Sequence, residues 1–299
     1  MFMAQPFLKW AGGKRQLMKE IETRLPKNLA SYNTYVEPFI GGGAVLFHLL
    51  EKYDFENVHI SDLNPELILC YEMLKLDAKS VIRNLDKLIE AYPEEIDDRK
   101  EVYYKIRTDW NEDVGNINSL SKSKKIKRVS QMLFLNRTCF NGLFRVNRKG
   151  EFNVPIGNYK KPSFPKAENL IAVQKALENV TIHLSSFENC ESWVDKSTFI
   201  YFDPPYRPLS DTSHFVSYSK GEFDDENQKQ LAHTFRSLDK KNVKLLLSNS
   251  DPKNTVADDE FFDELYSDFN IQRVSANRAI NSNPDRRGNI TELLISNYY

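Results

Sequence analysis

The stretch Thr198-Phe-Ile-Tyr-Phe-Asp-Pro-Pro-Tyr206 joins an apolar run to an abrupt polar ending. Its first five residues are mostly β-branched or aromatic, which favours a buried strand. Two consecutive prolines cannot continue the hydrogen-bond ladder of a sheet, so the strand ends at Asp203. We therefore expect Asp203 at the carboxyl end of a central strand, the edge at which open α/β sheets bind ligands.

This ending presents a carboxylate, a rigid turn and an aromatic ring together. The Asp203 carboxylate and the Pro204 carbonyl can both accept hydrogen bonds from an exocyclic NH2 group, and the ring of Tyr206 can stack on a planar base. Four residues alone are equally typical of a strand end whose tyrosine packs nearby. The rest of the chain decides between these two interpretations.

Two glycine turns earlier in the chain predict further ligand contacts. Gly12-Gly13 precedes a predicted helix, 16–25, and Gly41-Gly42-Gly43 separates a short strand from a predicted helix, 44–50. Glycine lets the backbone approach a ligand closely at a helix start. The first turn is not the phosphate loop of a nucleoside triphosphatase, because that loop needs an earlier glycine and a Ser or Thr where Arg15 stands.

Asp62 follows a second predicted strand, 57–61. An acid about twenty residues beyond the glycine turn of a dinucleotide-binding sheet commonly binds ribose hydroxyls. The alternative is that Asp62 caps the helix that begins near Pro65.

The composition predicts a soluble globular protein. Of 299 residues, 28% are charged and 40% hydrophobic. No apolar run approaches the ~18 residues of a membrane span and no signal peptide is recognisable, so we expect a cytoplasmic protein without membrane contact. Three scattered cysteines with no Cys/His cluster predict neither a disulfide framework nor a metal site.

The charge of the chain is unevenly distributed. Residues 122–161 contain eleven lysines and arginines against one acid, a net charge of +10, so the rest of a chain whose total is −1 carries −11. A basic module in an acidic body attracts a polyanion. The run Lys122 to Arg128 by itself is more typical of a solvated helix face.

The centre of this basic window, 136–159, predicts a hairpin with a long tip. Asn-Gly, Lys-Gly and Ile-Gly pairs punctuate short aromatic and β-branched segments. Arg and Asn side chains can read base edges, and an aromatic ring can wedge into a base stack. Phe144 and Phe152 are expected instead in the hairpin's own small core.

Two segments near the end of the chain complete the pattern. Residues 207–221 are polar and rich in serine, which predicts a flap over the site. Residues 271–276 and 290–296 read as an antiparallel pair that closes one edge of the sheet.

Four motifs in order, with an insertion before the last, closely resemble the Dam-type (alpha group) site-specific DNA adenine-N6 methyltransferases. The hairpin resembles the target-recognition hairpin of the same family, and the resemblance spans nearly the whole chain. The motifs are Phe-Leu-Lys-Trp-Ala-Gly-Gly-Lys at 7–14, Glu-Pro-Phe-Ile-Gly-Gly-Gly at 37–43, Ser-Asp-Leu-Asn at 61–64 and Asp-Pro-Pro-Tyr at 203–206, with Asn-Gly-Leu-Phe-Arg-Val-Asn at 141–147 and Phe-Asn-Val-Pro-Ile-Gly-Asn-Tyr at 152–159 in the hairpin.

The resemblance implies the fold, the methyl donor and the substrate. The fold would be α/β, a Rossmann-like sheet with a reversed edge strand, carrying an inserted, mostly helical target-recognition domain with a β-hairpin. A catalytic domain of 1–65 and 170–299 would bind S-adenosylmethionine, and 66–169 would recognise DNA. The substrate would be adenine in double-stranded DNA, usually within GATC. The oligomeric state is left open, and a monomer is compatible with this substrate.

The resemblance also assigns roles to individual positions. Asp203, Pro204 and Tyr206 would be catalytic, and the adenine would be flipped out of the duplex to reach them. Asp62 would bind the ribose of the donor. The donor pocket would be lined by Trp10, Lys14, Glu37, Phe39, Asp62 and Asp203. DNA would be contacted by Lys9, Phe140, Asn141, Leu143, Arg145 and Pro155.

Two positions depart from the family pattern. Phe140 stands where relatives often have an intercalating tyrosine, which keeps stacking but removes a hydroxyl contact. Asn158 stands where they often have arginine, which removes a phosphate or base contact. The alternatives are an adenine methyltransferase with another target, an RNA or protein methyltransferase, and a non-catalytic DNA-binding protein. Asp203 and the basic hairpin favour the DNA enzyme.

Overall fold

The computed structural model describes residues 3–207, 223–276 and 290–299, so the predicted flap lies outside the described residues apart from Arg207. The chain divides into two compact units. Unit 1 comprises Met1–Gly13, Gly41–Glu51 and Leu63–Leu184, and unit 2 comprises Lys14–Ile40, Lys52–Asp62 and Ser185–Tyr299. The predicted recognition domain, 66–169, falls within unit 1, whereas the segments 1–65 and 170–299 contribute to both units. The functions of these segments stay predictions.

The described residues form an α/β fold with one mixed sheet in the order β3-β2-β1-β4-β5-β7-β6. The strands are β1 Thr34–Glu37, β2 Asn57–Asp62, β3 Val180–Leu184, β4 Thr198–Phe202, β5 Lys244–Ser250, β6 Asn270–Ala276 and β7 Ile290–Ser296. β1 pairs in parallel with β2 and β4, and β4 with β5. β7 is antiparallel to both β5 and β6, so the reversed strand lies one position in from the edge.

β4 begins and ends where the sequence predicts, and all five of its residues are buried. It lies between β1 and β5, with Ile200 opposite both Val36 and Leu245. Because the chain runs outward from β1 to β2 and returns to β4, the strand order reverses between β1 and β4. In open α/β sheets the carboxyl ends of strands at such a point bind the ligand.

The hydrophobic core of unit 2 contains one face of β4. Ile200 and Phe202 of β4 are fully buried there, in one cluster with Leu247 of β5 and with the helix 225–240. Phe235, on that helix, packs 6.1 Å from Phe202 between ring centroids. This packing fixes the end of β4 and therefore the backbone at Asp203.

The helices are α1 Met18–Glu22, α2 Ala44–Lys52, α3 Pro65–Glu90, α4 Ile96–Asn111, α5 Lys122–Thr138, α6 Ala167–Ala176, α7 Asp225–Lys240 and α8 Phe261–Leu265. The predicted helix 16–25 is shorter than expected, because residues 14–16 form a separate 3₁₀ turn. At the start of α3 the side chain of Asn64 accepts hydrogen bonds from the N–H groups of Glu66 and Leu67. Asn64 is thus the cap, and Asp62 is not.

Unit 1 contains a buried ion pair between α3 and α5. Arg128 donates from Nε to Oε2 of Glu66 at 2.8 Å and from Nη2 to Oε1 at 2.5 Å. Its guanidinium also lies 3.9 Å from the ring centroid of Trp110 and donates to the Trp110 carbonyl. The Arg128 side chain is only 3% exposed, so the pair links α3, α4 and α5 in a site with little water.

We expect Arg128→Ala to lower the free energy of unfolding by about 3–5 kcal/mol, because it leaves the Glu66 carboxylate buried without its partner. Urea unfolding followed by circular dichroism measures this change. Lys122→Ala, on the same helix, breaks a pair with Asp77 whose lysine is 55% exposed, and should cost less than about 1 kcal/mol. Equal losses in the two variants would contradict a structural role for the buried pair.

Candidate functional site

Asp203 follows the last residue of β4 and is held by two side chains of unit 2. Nζ of Lys14 lies 2.6 Å from Oδ1, and the Ser248 hydroxyl donates to the same oxygen at 3.0 Å. Both of these contacts are made to Oδ1, so the protein fixes the carboxylate through this oxygen.

The ionisation of Asp203 depends on opposing effects. Burial raises the pKa of its carboxyl group above the ordinary value, because the charged form loses hydration. The Lys14 ammonium and the hydrogen bond from Ser248 lower that pKa in part, while the negative charge of Glu292 raises it. Lys14 thus favours the charged form of Asp203.

The turn after Asp203 is also held in place. Nζ of Lys14 lies 4.5 Å from the ring centroid of Tyr206, and the Tyr206 hydroxyl donates to Oε2 of Glu292. The Pro205 carbonyl accepts a hydrogen bond from Nε2 of Gln228 at 3.2 Å. The prolines and these contacts keep the tyrosine ring beside the carboxylate.

The predicted donor-binding residues of β1 and β2 lie at the carboxyl ends of their strands. Glu37, the last residue of β1, is 2% exposed and accepts from the Tyr35 hydroxyl at 2.6 Å. Asp62, the last residue of β2, is partly exposed, and Phe39 stacks on Phe187 with 5.4 Å between centroids. Lys14, Glu37, Phe39, Asp62 and Asp203 all belong to unit 2, and Lys14 and Asp203 are in direct contact.

Trp10, the remaining predicted donor-pocket residue, belongs to unit 1. Its ring stacks on Phe144 of the hairpin, with 5.4 Å between centroids and 25° between planes. Phe152 is buried and packs on both Phe144 and Trp110. Phe152 is therefore a core residue of the hairpin, as predicted, while Phe144 also packs against the N-terminal segment.

The predicted hairpin is present as two antiparallel segments joined by isolated bridges, Cys139 to Ile156 and Val146 to Phe152. The described backbone forms no regular strands between these residues. Long irregular loops of this kind are common at binding sites, because their side chains need not alternate between two faces.

The predicted DNA-contacting residues lie on the surface of unit 1. Phe140 is 51% exposed and Leu143 is 42% exposed, although both are apolar. Asn141 between them has a left-handed backbone, with φ of 55°. The exposed residues of the set are Lys9, Phe140, Asn141, Leu143, Arg145 and Pro155.

Two of these residues have oriented cationic groups. Nε of Arg145 donates to Oδ1 of Asn153 at 2.7 Å, which fixes the plane of the guanidinium. Nζ of Lys9 lies 4.8 Å from the ring centroid of Tyr159. Both cations are exposed, so they can contact an anionic or polar ligand without prior burial.

The cations of the basic window 122–161 differ in their surroundings. Arg128 pairs with Glu66 inside unit 1, and Lys122 and Lys124 lie 3.3 and 3.8 Å from Asp77 and Asp113. The exposed Lys122 and Lys124 fit the prediction of a solvated face for the run Lys122 to Arg128, whereas the buried Arg128 does not. Further exposed cations lie in the hairpin and directly after it, at Arg145, Arg148, Lys149, Lys160 and Lys161.

Ser248 and Glu292 contact the candidate site but are not among the predicted site residues. Ser248 belongs to the polar end of β5, Ser-Asn-Ser-Asp at 248–251, which follows an apolar strand as Asp203 does. That pattern was a usable signal. Glu292 gave none, because its position follows only from the antiparallel pairing of β7 with β5.

In the described ranges no group of three or more His, Cys, Asp or Glu side chains could hold a metal ion. The same part of the chain has no helix of sufficient length and hydrophobicity to cross a membrane.

Comparison with known proteins matches the family of D12 class N6 adenine-specific DNA methyltransferases over residues 10–280. The chain is 49% identical to the type II methyltransferase M.MjaIII of Methanocaldococcus jannaschii, covering 98% of this chain and 99% of the relative. It is 38% identical to the type II methyltransferase M1.LlaDCHI of Lactococcus lactis subsp. cremoris, covering 98% and 95%. It is 35% identical to the DNA adenine methylase of Escherichia coli strain K12, covering 96% and 93%.

A family model that spans most of the chain, and relatives matched along nearly their whole length, agree with the carboxylate and aromatic ring presented at the end of β4. The chain belongs to the D12 class of N6 adenine-specific DNA methyltransferases.

Proposed function

We propose that this enzyme transfers the methyl group of S-adenosylmethionine to N6 of adenine within the duplex sequence GATC, after the adenine has been flipped out of the helix. The observation that carries the catalytic part is the Asp203 carboxylate, held through one oxygen by Lys14 and Ser248 at the end of β4. The family membership supports adenine-N6 chemistry on DNA.

N6 of adenine is a weak nucleophile, because its lone pair is delocalised into the ring. Oδ2 of Asp203 and the carbonyl of Pro204 would each accept one hydrogen of the amine. These two hydrogen bonds favour a pyramidal nitrogen whose lone pair points out of the plane of the ring, toward the methyl group of the donor. The barrier is lowered mainly by this positioning, since the reacting atoms are already aligned.

S-adenosylmethionine, when bound, supplies a methyl group on a sulfonium, so direct transfer needs no covalent enzyme intermediate. Positive charge then appears on N6, next to the carboxylate of Asp203, which stabilises it electrostatically. The neutral thioether S-adenosylhomocysteine would be the leaving group. The methylated amine is acidic and would release its proton to the carboxylate or to water, so Asp203 need not be a strong base. Lys14 keeps the carboxylate charged and oriented until the methyl group has been transferred.

The residues at the ends of β1 and β2 fit a donor with this chemistry. Glu37 and Asp62 are acids, which suit a cationic amino acid and ribose hydroxyls respectively, and Phe39 provides an aromatic face. Lys14 and Trp10 complete the proposed donor-binding set. We assign donor binding and catalysis to 1–65 and 170–299, and DNA recognition to 66–169.

A flipped adenine would stack on Tyr206, while Phe140 would fill the space that the base leaves in the duplex. The exposure of Phe140 supports this role, because an apolar ring at the surface gains by entering a base stack. Arg145 and Lys9 would read guanine-bearing pairs, with Asn141, Leu143 and Pro155 beside the bases. All the proposed roles belong to one protein chain acting on one duplex, so a monomer suffices for methyl transfer.

The first prediction tests enzyme class, target and catalytic residue. The protein should transfer labelled methyl from S-adenosylmethionine to a duplex containing GATC and not to one containing GTAC. Asp203→Asn keeps an oxygen for Lys14 but removes the negative charge, and should lower kcat about 100-fold or more while duplex binding is retained.

The matched control for this variant is Asp195→Asn, at the opposite end of β4. Oδ1 of Asp195 accepts from the Ser197 N–H and the Thr198 hydroxyl, far along the strand from Asp203, so activity should stay near wild type. Equal transfer to both duplexes would contradict GATC, transfer to neither would contradict the enzyme class, and full activity of Asp203→Asn would contradict its role.

The second prediction concerns pH. Lys14→Gln removes the cation that favours the charged form of Asp203, so the pKa of Asp203 should rise further above its ordinary value. Since the carboxylate is the active form, the acidic limb of the kcat/KM profile should move to higher pH. Lys241→Gln, which loses only an exposed pair with Glu191, should leave the limb in place. An unshifted limb in Lys14→Gln would show that Asp203 does not limit activity at low pH.

The third prediction concerns sequence choice. Arg145→Ala should reduce the preference for the correct base pair at one position of the target by about 1–3 kcal/mol, as the loss of a bidentate guanine contact does. Competition between duplexes that differ at single pairs measures this preference. Lys149→Ala, at the exposed tip of the hairpin, should weaken binding to all duplexes alike. An unchanged preference in Arg145→Ala would mean that this side chain contacts only the backbone of DNA.

A further inference from the structure

Asn136, in the last turn of α5, is a fully buried polar residue whose side chain holds two separate segments of unit 1. Its Oδ1 accepts from the backbone N–H of Lys9 at 2.8 Å, and its Nδ2 donates to the carbonyl of Lys9 at 2.9 Å. Nδ2 also donates to the carbonyl of Gly142 at 3.0 Å. The exposed fraction of Asn136 is 0%, so water cannot replace these bonds.

The three bonds serve neither the helix nor its end. The N–H of Cys139, at the end of α5, bonds to the Leu135 carbonyl, so the helix is closed by its own backbone. All the polar atoms of the Asn136 side chain point instead to the chain before α1 and to the turn that opens the hairpin. An amide is suited to this, because one group accepts and donates at the same time.

The same two segments are in close contact beyond these bonds. Gly142 has φ of 66°, and a Cβ built there would lie 2.3 Å from Cδ of Lys9 and 2.9 Å from its Cβ. The aliphatic stem of Lys9 therefore lies directly on the Gly142 backbone. The Lys9 ammonium is further directed by the ring of Tyr159, 4.8 Å away.

We infer that Asn136 is a positioning residue for sequence recognition, which fixes Lys9 against the 140–143 turn so that both meet DNA as one preformed surface. The inference rests on the proposed function, since it takes Lys9 and the turn as DNA contacts. Asn136 itself is buried and touches no DNA; it acts through Lys9.

We call the three hydrogen bonds of the Asn136 side chain the clamp. The clamp should affect discrimination between DNA sequences more than overall affinity for DNA. A lysine on a mobile segment can still contact phosphates, which are alike at every position of the duplex. A contact to one base edge needs a lysine whose backbone is held in a fixed position. Order that exists before binding also removes part of the entropic cost of forming the specific complex. Loss of the clamp should therefore reduce the ratio of activity on correct and incorrect duplexes, with a smaller change in non-specific binding.

The test compares Asn136→Ala and Asn136→Asp with Ser130→Ala. Asn136→Asp keeps the size and the acceptor but loses both donations. Ser130, on the same helix, is also fully buried and donates to the Val81 carbonyl at 3.0 Å, away from Lys9. The control thus removes a comparable buried bond from α5 and leaves the clamp intact.

The first readout is discrimination, the ratio of kcat/KM on the target to that on duplexes changed at one base pair. The Lys9→Ala variant identifies the base pair that Lys9 reads, because a change at that base pair should no longer alter its kcat/KM. At that pair Asn136→Ala and Asn136→Asp should lose discrimination about tenfold, while Ser130→Ala stays within about twofold of wild type. In the Lys9→Ala background Asn136→Ala should cause little further loss, because the two residues act together.

The second readout is hydrogen exchange at the Lys9 amide, which does not depend on activity. Exchange there should accelerate in Asn136→Ala and stay slow in Ser130→Ala. Equal discrimination in all variants, or additive losses from Lys9 and Asn136, would overturn the inference. If the wild type methylates no duplex the proposed function fails, and an unchanged exchange rate at Lys9 would then separately overturn the clamp.

Discussion

The ion pair between Lys14 and Asp203 is the interaction on which the candidate site depends. The Lys14 side chain is 5% exposed and that of Asp203 is 19% exposed, so each charge has lost most of its hydration. Each charge is stabilised there by the other. The pair brings the start of unit 2 to the end of β4 and sets the ionisation of the carboxylate. The hydroxyl of Ser248 donates to the same carboxylate oxygen that faces Lys14.

Local sequence determined much of the fold. β4 begins and ends as predicted, because it is a short β-prone run that two prolines follow closely, and Asp203 stands directly after it. The helix predicted from 16 to 25 was too long, because apolar spacing indicates a helical face but not the 3₁₀ turn at 14–16. Regular strands in the hairpin were also expected, whereas its glycines and aromatic residues allow only isolated bridges.

Contacts between distant parts of the chain could not be predicted from local patterns. Glu66 and Arg128 pair across 62 positions, so local sequence placed Arg128 on a solvated helix face instead. Asn136 lies at the start of the predicted hairpin segment 136–159, but local sequence assigns it no role, because its partner Lys9 lies 127 positions away. The net charge of a segment can be counted from its sequence. Which of those charges pair inside the protein and which face solvent depends on the fold. The family resemblance assigned DNA contacts to residues that are exposed, and it gave no role to the buried Asn136 that holds one of them.

The absence of a side chain at position 142 constrains how this protein can change. Any residue other than glycine would meet the stem of Lys9, and the left-handed backbone there disfavours a Cβ in any case. Position 9 and the turn at 140–143 are consequently not independent sites of variation. Under the proposed function, a change of target sequence that uses these residues would have to alter both segments together, because a change in one displaces the other. Loops that can be exchanged singly offer an easier route to new specificity than this pair.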